Sequence, residues 1–276
     1  MKVSLIQMNS VSDKQANLAQ ARLLIEEAVR DERPDWICLP EVWDYIGGNR
    51  RTKMEAAETI PGGPAYTLMQ ELARTHRVFI HAGSILEKVE GDERIHNTTV
   101  AFDRDGKEVA RYRKIHMFDI TAPDGTAYRE SAAFKPGDAV VTYDCEGVTV
   151  GCAICYDLRF PYLFSALVDK GAHLIALPSA FTMQTGKDHW EVLCRARAIE
   201  TGCFVLAPAQ TGFHAEAHGK GRRTHGHSLA VAPWGEVLAD AGADPGVAFI
   251  DLDLSQVAEA RGRVPSLSHD REFTGP

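Results

Sequence analysis

Apolar residues recur along the chain in two patterns, and each pattern predicts a different element. Short apolar runs at residues 3–8, 36–40 and 148–154 predict buried strands. Residues 13–30 instead carry apolar side chains near helical spacing, which predicts an amphipathic helix. Because such strands and helices alternate throughout the sequence, the pattern favours α/β layers in which helices cover sheets.

The remaining elements follow the same alternation. Further strands are predicted at residues 78–86, 97–102, 173–178, 203–209, 228–231 and 247–252. Further helices are predicted at residues 64–74, 160–170 and 189–200. Turn residues between strand-like runs predict hairpins at 103–106 and 233–236. The two halves of the chain have a similar element order, which suggests two sheets facing each other, although periodicity alone leaves their arrangement open.

Length and continuity indicate one domain. The chain has 276 residues and 45% hydrophobic content, which suits one large domain or two small ones. Helix and strand signals run without a linker or a repeat, so we predict a single domain over residues 1–276. Residues 255–276 are more polar, and we predict that they form a C-terminal tail packed on the surface or on a partner subunit.

Charge and hydropathy exclude several classes of protein. A formal net charge of −8 argues against nucleic-acid binding, which needs a basic surface. No apolar stretch approaches the roughly 18 residues that would span a bilayer, so no membrane association is expected. The first residues lack the features of a signal peptide, which predicts a cytoplasmic location. In that compartment most of the six cysteines are expected to be reduced.

Cys155 is the first candidate for chemistry. A predicted strand runs into Cys155 and is followed by a polar turn, so the thiol is expected at a sheet edge, where the active sites of α/β proteins gather. A thiolate nucleophile needs an electropositive and partly exposed setting. Taken by itself, however, a single free cysteine is more often a small buried core residue.

Metal and redox chemistry find little support in the sequence. Cys152 and Cys155 form a Cys-x-x-Cys pair, but two such residues of one strand would point to opposite faces, and a zinc site needs further ligands. The histidines show no spacing that singles out a catalytic base, and His225 and His227 do not complete a metal shell. We therefore expect no metal.

Lys114 and Glu41 are the other candidates. Lys114 lies in a basic segment interleaved with aromatic and apolar residues, and a semi-buried lysine can donate hydrogen bonds to an oxyanion. Glu41 follows a predicted buried strand and a proline, where a carboxylate can serve as a general base. A solvated basic surface and an ordinary loop glutamate remain the alternatives for these two segments.

Taken together, three segments resemble the nitrilase superfamily of carbon–nitrogen hydrolases. They are Leu39-Pro40-Glu41, Tyr112-Arg113-Lys114-Ile115-His116 and Ile154-Cys155-Tyr156-Asp157-Leu158-Arg159-Phe160-Pro161. The order Glu, Lys, Cys is that of the family, and the resemblance covers nearly the whole chain. It implies a four-layer α-β-β-α sandwich and a hydrolase that needs no metal or organic cofactor.

The resemblance also implies roles for individual residues. Glu41 would be the general base and Cys155 the nucleophile. Lys114 would hold the oxyanion together with the backbone N–H of Tyr156. Glu130 matches the second glutamate of the family, which orients the lysine and the substrate.

Three further positions match substrate-binding positions of the family. Arg159 falls where omega-amidase-like members bind a substrate carboxylate, and Phe181 and Thr185 match pocket positions. Relatives vary in the segment 122–127, which comes before Glu130, so the identity of the substrate stays open.

Within the superfamily, the chain is most similar to deaminated-glutathione amidases and omega-amidases. The segments that carry this similarity are 178–182, 185–186, 189–191, 195–200, 209–212 and 226–228. The similarity predicts an amidase that cleaves a small carboxylate-bearing amide through a thioester intermediate, in a homodimer or higher homo-oligomer. The alternatives are a nitrilase, an N-carbamoyl amino acid hydrolase, an aliphatic amidase, or a non-catalytic binding protein with the same fold.

Overall fold

The computed structural model of the chain describes residues 1–122, 125–216, 221–271 and 274. Most of the strands within this part of the chain belong to two sheets. Its α-helices are α1 (Lys14–Glu32), α2 (Arg50–Ala56), α3 (Pro64–His76), α4 (Pro161–Asp169), α5 (Met183–Thr201) and α6 (Ser255–Arg263).

The first sheet has parallel strands at its centre and antiparallel strands at its edges. Its strands are β1 (Lys2–Gln7), β2 (Trp36–Cys38), β3 (Phe79–His81), β4 (Ile85–Lys88), β5 (Ile95–Phe102), β6 (Glu108–Arg113) and β17 (Gly246–Asp251). The spatial order is β17-β1-β2-β3-β5-β4, with β6 paired to β5. Strands β1, β2 and β3 are parallel, and they end at one edge of the sheet.

The second sheet repeats this plan, and two short hairpins lie outside the sheets. The strands of the second sheet are β9 (Thr142–Cys145), β10 (Val148–Cys152), β11 (Leu174–Ala176), β12 (Phe204–Ala207), β15 (Leu229–Val231) and β16 (Val237–Asp240). Their spatial order is β16-β15-β12-β11-β10-β9, with β10, β11 and β12 parallel. The hairpins are β7 (Asp119–Thr121) with β8 (Ala127–Arg129), and β13 (Thr211–His214) with β14 (Arg222–His225).

Alternation of side chains along the strands explains how the layers stack. Leu5 of β1 belongs to the core that the first sheet shares with Leu174 of the second sheet. Its neighbour Ile6 points to the opposite face and packs with Ile25 of α1 and Leu72 of α3. Helices α4 and α5 lie against the second sheet. The chain is therefore a four-layer α-β-β-α sandwich, which confirms the predicted fold class.

A turn that packs against the backbone of another loop divides one predicted strand into two. The run predicted at 78–86 is divided into β3 and β4 because the chain turns at Gly83, whose φ is +53°. A Cβ atom there would collide with the carbonyl oxygen of Pro40, so only glycine allows this crossing. Since Pro40 precedes Glu41, this close approach also fixes one side of the candidate site.

Other element boundaries differ from those predicted. The strand before Cys155 ends at Cys152, and α5 begins at Met183 rather than 189 because the Thr182 hydroxyl accepts a hydrogen bond from the Thr185 N–H. Helix α2, strand β9 and the two short hairpins were not predicted. The turns at 103–106 and 233–236 join antiparallel strands as expected.

The segment predicted as a polar tail begins with a helix that packs on the same chain. Val257 and Ala260 of α6 are buried, and the Arg261 guanidinium donates hydrogen bonds to the carbonyl oxygens of Thr201 and Ala172. Within the described ranges, no helix combines the length and the apolar character that a membrane crossing requires.

A buried polar network joins the two sheets. The Trp36 indole N–H of β2 donates to the Tyr143 hydroxyl of β9 at 2.9 Å, and His81 Nδ1 of β3 lies 3.2 Å from the same hydroxyl. Burial lowers the pKa of His81 to about 3, so this imidazole is neutral in the folded protein. The hydroxyl of Tyr143 therefore satisfies polar groups of the opposite sheet.

Tyr143→Phe should destabilise the protein, because it leaves the buried Trp36 N–H without an acceptor. We expect the free energy of unfolding to fall by about 1–3 kcal/mol, the usual range for an orphaned buried donor. Urea unfolding followed by circular dichroism measures it. Thr59→Val is the control, since it also removes a hydroxyl, but from an exposed side chain; equal stability of the two variants would refute the role of the network.

Candidate active site

Three reactive side chains meet in one cavity at the ends of strands. Glu41 follows β2, Lys114 follows β6, and Cys155 begins a short 3-10 helix after β10. All three line a cavity of about 200 Å³ together with Glu130, which begins another 3-10 helix after β8. The structure thus brings together four residues that lie far apart in the sequence.

Lys114 is the centre of this arrangement. Its side chain is 2% exposed, and its ammonium donates to Glu41 Oε1 at 2.9 Å and to Glu130 Oε1 and Oε2 at 2.9 and 3.0 Å. Burial by itself would lower the pKa of Lys114, but the Glu130 and Glu41 carboxylates outweigh it and hold that pKa well above its usual value. The ammonium therefore stays charged.

Each of the two carboxylates is held by a second donor. Glu130 Oε2 accepts the Phe118 N–H at 2.5 Å, and Glu41 Oε1 accepts the Asn97 side-chain amide at 2.9 Å. Burial raises the pKa of Glu130 more than the Lys114 charge lowers it. Sequence reasoning missed Asn97, because a polar residue inside strand β5 has no motif that marks it.

The Cys155 thiol contacts Glu41 and is held in a strained turn. Its φ is +47°, and its N–H donates to the Pro178 carbonyl at 2.9 Å. The Ala180 backbone and the Glu41 carboxylate act on the sulfur in opposite directions, since the first lowers the pKa of Cys155 and the second raises it. Burial first, and then the Glu41 charge, raise the pKa of Cys155 well above its usual value, against the opposing effect of Lys114. The resting side chain is therefore a neutral thiol beside a carboxylate.

Asp157, which sequence reasoning did not single out, ties the cysteine turn to the lysine segment. Its buried carboxylate accepts the Ile154 N–H at 2.9 Å and the Tyr112 hydroxyl at 2.6 Å through Oδ2, and the His116 N–H at 3.1 Å through Oδ1. Tyr112 and His116 flank Lys114, whereas Ile154 precedes Cys155. One carboxylate thus fixes the position of two reactive segments relative to each other.

The predicted substrate-binding residues divide into two groups. Phe181 and Thr185 line the cavity, as does Tyr156, whose backbone N–H was predicted to hold the oxyanion. Arg159 does not line it, and its guanidinium lies over the rings of Tyr156 at 5.8 Å and Phe181 at 5.6 Å, with Nη2 3.2 Å from Nδ1 of His189. Contact between Arg159 and a substrate carboxylate stays a prediction.

Two further observations concern possible metal ligands and the other cysteines. Over the described ranges, no group of three or more histidine, cysteine or acidic side chains is arranged to hold a metal ion. Of the six cysteines, Cys155 is 7% exposed and lines the cavity, whereas each of the others is 2% exposed or less. His218 and two residues of the segment 122–127 lie outside the described residues.

Comparison with known proteins defines the family. Residues 2–262 match the family model described as carbon-nitrogen hydrolase. The chain is 41% identical over 268 residues to a deaminated glutathione amidase of Synechocystis, covering 96% of both chains. It is 36% identical over 270 residues to omega-amidase NIT2 of Homo sapiens, covering 98% of this chain and 95% of that one.

Solved structures agree with this assignment. The NitFhit protein of Caenorhabditis elegans superposes with a TM-score of 0.89 at 37% identity; the match covers 98% of this chain and 65% of that longer one. Nit3 of Saccharomyces cerevisiae, a member of branch 10 of the nitrilase superfamily, superposes with a TM-score of 0.85 at 30% identity, covering 96% and 94%. The chain belongs to the carbon–nitrogen hydrolase family of the nitrilase superfamily, and it is an amidase-type hydrolase of carbon–nitrogen bonds.

Asp157→Asn should impair the site, because an amide would present a donor to groups that already donate. We expect kcat on an amide substrate to fall by roughly 10- to 100-fold with a smaller change in KM, since small displacements of a nucleophile have effects of this size. Steady-state kinetics measure the change, and circular dichroism verifies the fold.

Asp169→Asn is the matched control, because Asp169 is exposed at the end of α4. If Asp157→Asn kept the kcat of the control, the positioning role of the buried carboxylate would be untenable.

Proposed function

We propose that this chain is a cysteine-dependent amidase that hydrolyses small carboxylate-bearing amides through a thioester on Cys155. The observation that carries the proposal is that the Cys155 thiol, the Glu41 carboxylate and the charged Lys114 line one cavity, with Lys114 Nζ 2.9 Å from Glu41 Oε1 and both charges acting on the thiol. A neutral thiol next to a carboxylate is a nucleophile paired with a general base. Glu41 and Cys155 are assigned these two roles.

Acylation begins with proton transfer. Glu41 accepts the thiol proton as the sulfur of Cys155 attacks the amide carbon, and the electron pair of the C=O double bond moves to oxygen. Lys114 and the Tyr156 N–H are assigned to stabilise this oxyanion. Removal of one such donor typically costs about 10²–10³-fold in rate. The C–N bond then breaks, Glu41 gives its proton to the departing nitrogen, and a thioester remains on Cys155.

Deacylation uses the same residues with water as the nucleophile. Glu41 accepts a proton from water, whose oxygen attacks the thioester carbon. The second tetrahedral intermediate is stabilised as the first was. The C–S bond breaks, the thiolate of Cys155 takes up the proton from Glu41, and the carboxylic acid leaves. Glu130 remains bound to Lys114 throughout, so its assigned role is to orient the ammonium and keep it charged.

The substrate class rests on the relatives together with the cavity. The similar proteins are named deaminated glutathione amidase and omega-amidase, and we infer a related substrate for this chain. That substrate would be deaminated-glutathione-like or an omega-amide of a 2-oxo acid, yielding an acid and ammonia or an amine. Phe181 and Thr185 line the cavity and are assigned to substrate contact, and Arg159 is expected to bind a carboxylate.

Location and assembly are part of the proposal. The six cysteines are free thiols, which suits a reducing compartment such as the cytoplasm. Helices α4 and α5 expose large apolar side chains, which supports burial of this surface in a homodimer or higher homo-oligomer. They are Tyr162, Met183, Val192 and Ile199.

Cys155→Ala should abolish turnover while leaving the fold intact, because it removes the sulfur to which the acyl intermediate is assigned. We expect release of ammonia from α-ketoglutaramate and succinamate, and of the amine from deaminated glutathione, to fall by at least about 10³-fold. Coupled ammonia detection and amine derivatisation measure the products.

Cys152→Ala is the matched control for this experiment, because Cys152 lies three residues away in β10 and does not line the cavity. It should keep turnover of the same amides. Hydrolysis by Cys155→Ala at the rate of the control would remove the nucleophile assignment.

A further inference from the structure

The cavity carries an excess of positive charge that the proposed chemistry does not use. Besides Lys114, three cationic residues line it, namely Lys53, Arg129 and Arg222. Among the described residues that line the cavity, the carboxylates are those of Glu41 and Glu130, and both already bind Lys114. The chain as a whole has a formal net charge of −8, whereas the lining of the cavity is positively charged. This difference points to an anionic ligand.

Arg222 has a donor that nothing in the described structure satisfies. It begins strand β14, and its Nε atom is buried without a hydrogen-bond partner in the described part of the chain. Within the same ranges its guanidinium forms no ion pair within 4 Å. Arg129, by contrast, donates to the carbonyl oxygens of Ile120 and Tyr128. A buried unsatisfied guanidinium N–H is costly, so a ligand acceptor is the physical explanation for it.

Lys53 lines the same cavity as Arg222, and the two positive charges repel each other. It belongs to α2, and its ammonium donates to the Gly48 carbonyl at 2.9 Å. Burial lowers the pKa of Lys53, and the Arg222 charge lowers it further, against the opposing effects of Glu216 and Glu130. No carboxylate of the described residues forms an ion pair with Lys53 within 4 Å. Two neighbouring cations that form no ion pair with a carboxylate of the described residues favour the binding of an anion.

We propose that Lys53 and Arg222 form an anion subsite that binds a carboxylate of the substrate remote from the scissile amide. The proposal rests on the proposed function, because it takes the reacting amide carbon to lie at Cys155. Arginine binds a carboxylate through two parallel N–H donors, and lysine adds a point charge. Since α2 and β14 carry none of the four reactive residues, the pair selects and orients substrate.

The same chemistry allows two sources for this carboxylate. It can belong to the acyl half of the amide, which stays on the enzyme as the thioester, or to the amine half, which leaves first. Both halves present an identical group to the subsite, so the substrates used in the test must separate them.

The test compares four amides that differ in their carboxylates. N-succinylglycine has a carboxylate on its acyl half and another on its amine half. N-succinylglycinamide keeps only the carboxylate of the acyl half, and N-butanoylglycine keeps only that of the amine half. N-butanoylglycinamide has neither carboxylate. In Lys53→Gln and in Arg222→Gln, the ratio of kcat/KM for N-succinylglycine to that for N-butanoylglycinamide should fall by roughly 10- to 100-fold, mainly through KM. One of the two amides with a single carboxylate should show the same fall in kcat/KM. That amide identifies the half of the substrate whose carboxylate binds to Lys53 and Arg222.

Matched controls lie on the same two elements. Arg51→Gln changes an exposed residue of α2, and Arg223→Gln changes an exposed residue of β14 next to Arg222. Both should keep the wild-type ratio, and thermal unfolding verifies that all four variants fold. An unchanged ratio in Lys53→Gln and Arg222→Gln, or an equal fall in the controls, would overturn the subsite.

Calorimetric binding separates this inference from the proposed function. N-succinylglycine is titrated into Cys155→Ala and into the same protein carrying Lys53→Gln or Arg222→Gln. A loss of affinity of 10-fold or more in the double variants supports the subsite. This holds even if wild-type protein hydrolyses none of the amides, because a lack of hydrolysis would refute only the proposed function. Equal affinity in all three proteins, or no measurable binding to Cys155→Ala, would overturn the subsite.

Discussion

The pairing of one buried ammonium with two carboxylates is the interaction on which the site depends. A charge that is 2% exposed cannot stay ionised unless it is paired, and Lys114 meets this requirement through Glu41 and Glu130. Because these three residues follow three different strands, their pairing fixes the strand ends relative to one another. Burial and the charge of Glu41 also keep the adjacent Cys155 thiol protonated, against the opposing effect of Lys114.

The backbone around this cluster is strained at two points that adjoin reactive groups. Cys155 has a φ of +47°, and Val42, which follows Glu41, has a φ of +44°. β-branched and other side chains rarely adopt this region, so the surrounding hydrogen bonds must hold it. The Cys155 N–H donates to Pro178, and the Val42 N–H donates to the Ser84 hydroxyl at 2.9 Å. The sandwich thus holds both residues in place.

Much of the fold could be predicted because many strands are buried on both faces. Each face packs in a different core, so the strand appears in the sequence as a continuous apolar run. The alternation of elements predicted α/β layers, whereas their stacking as two facing sheets depends on contacts such as Leu5 with the second sheet, which periodicity does not contain. The Glu, Lys and Cys candidates were recognisable because three motifs keep a fixed order. Asn97 and Asp157 were not, since their roles arise from contacts between distant segments. Lys53 and Arg222 likewise belong to short elements that carry no apolar pattern.

The proposed mechanism requires that the acyl half of an amide is transferred to the sulfur of Cys155. Rapid acid quench of turnover with α-ketoglutaramate labelled in its carbon chain, followed by peptide mass spectrometry, tests this directly. If the mechanism is correct, the labelled acyl group is found on the peptide that contains Cys155, and it disappears as substrate is exhausted. An acyl group on another residue, or sustained turnover with no labelled peptide at any quench time, would contradict it.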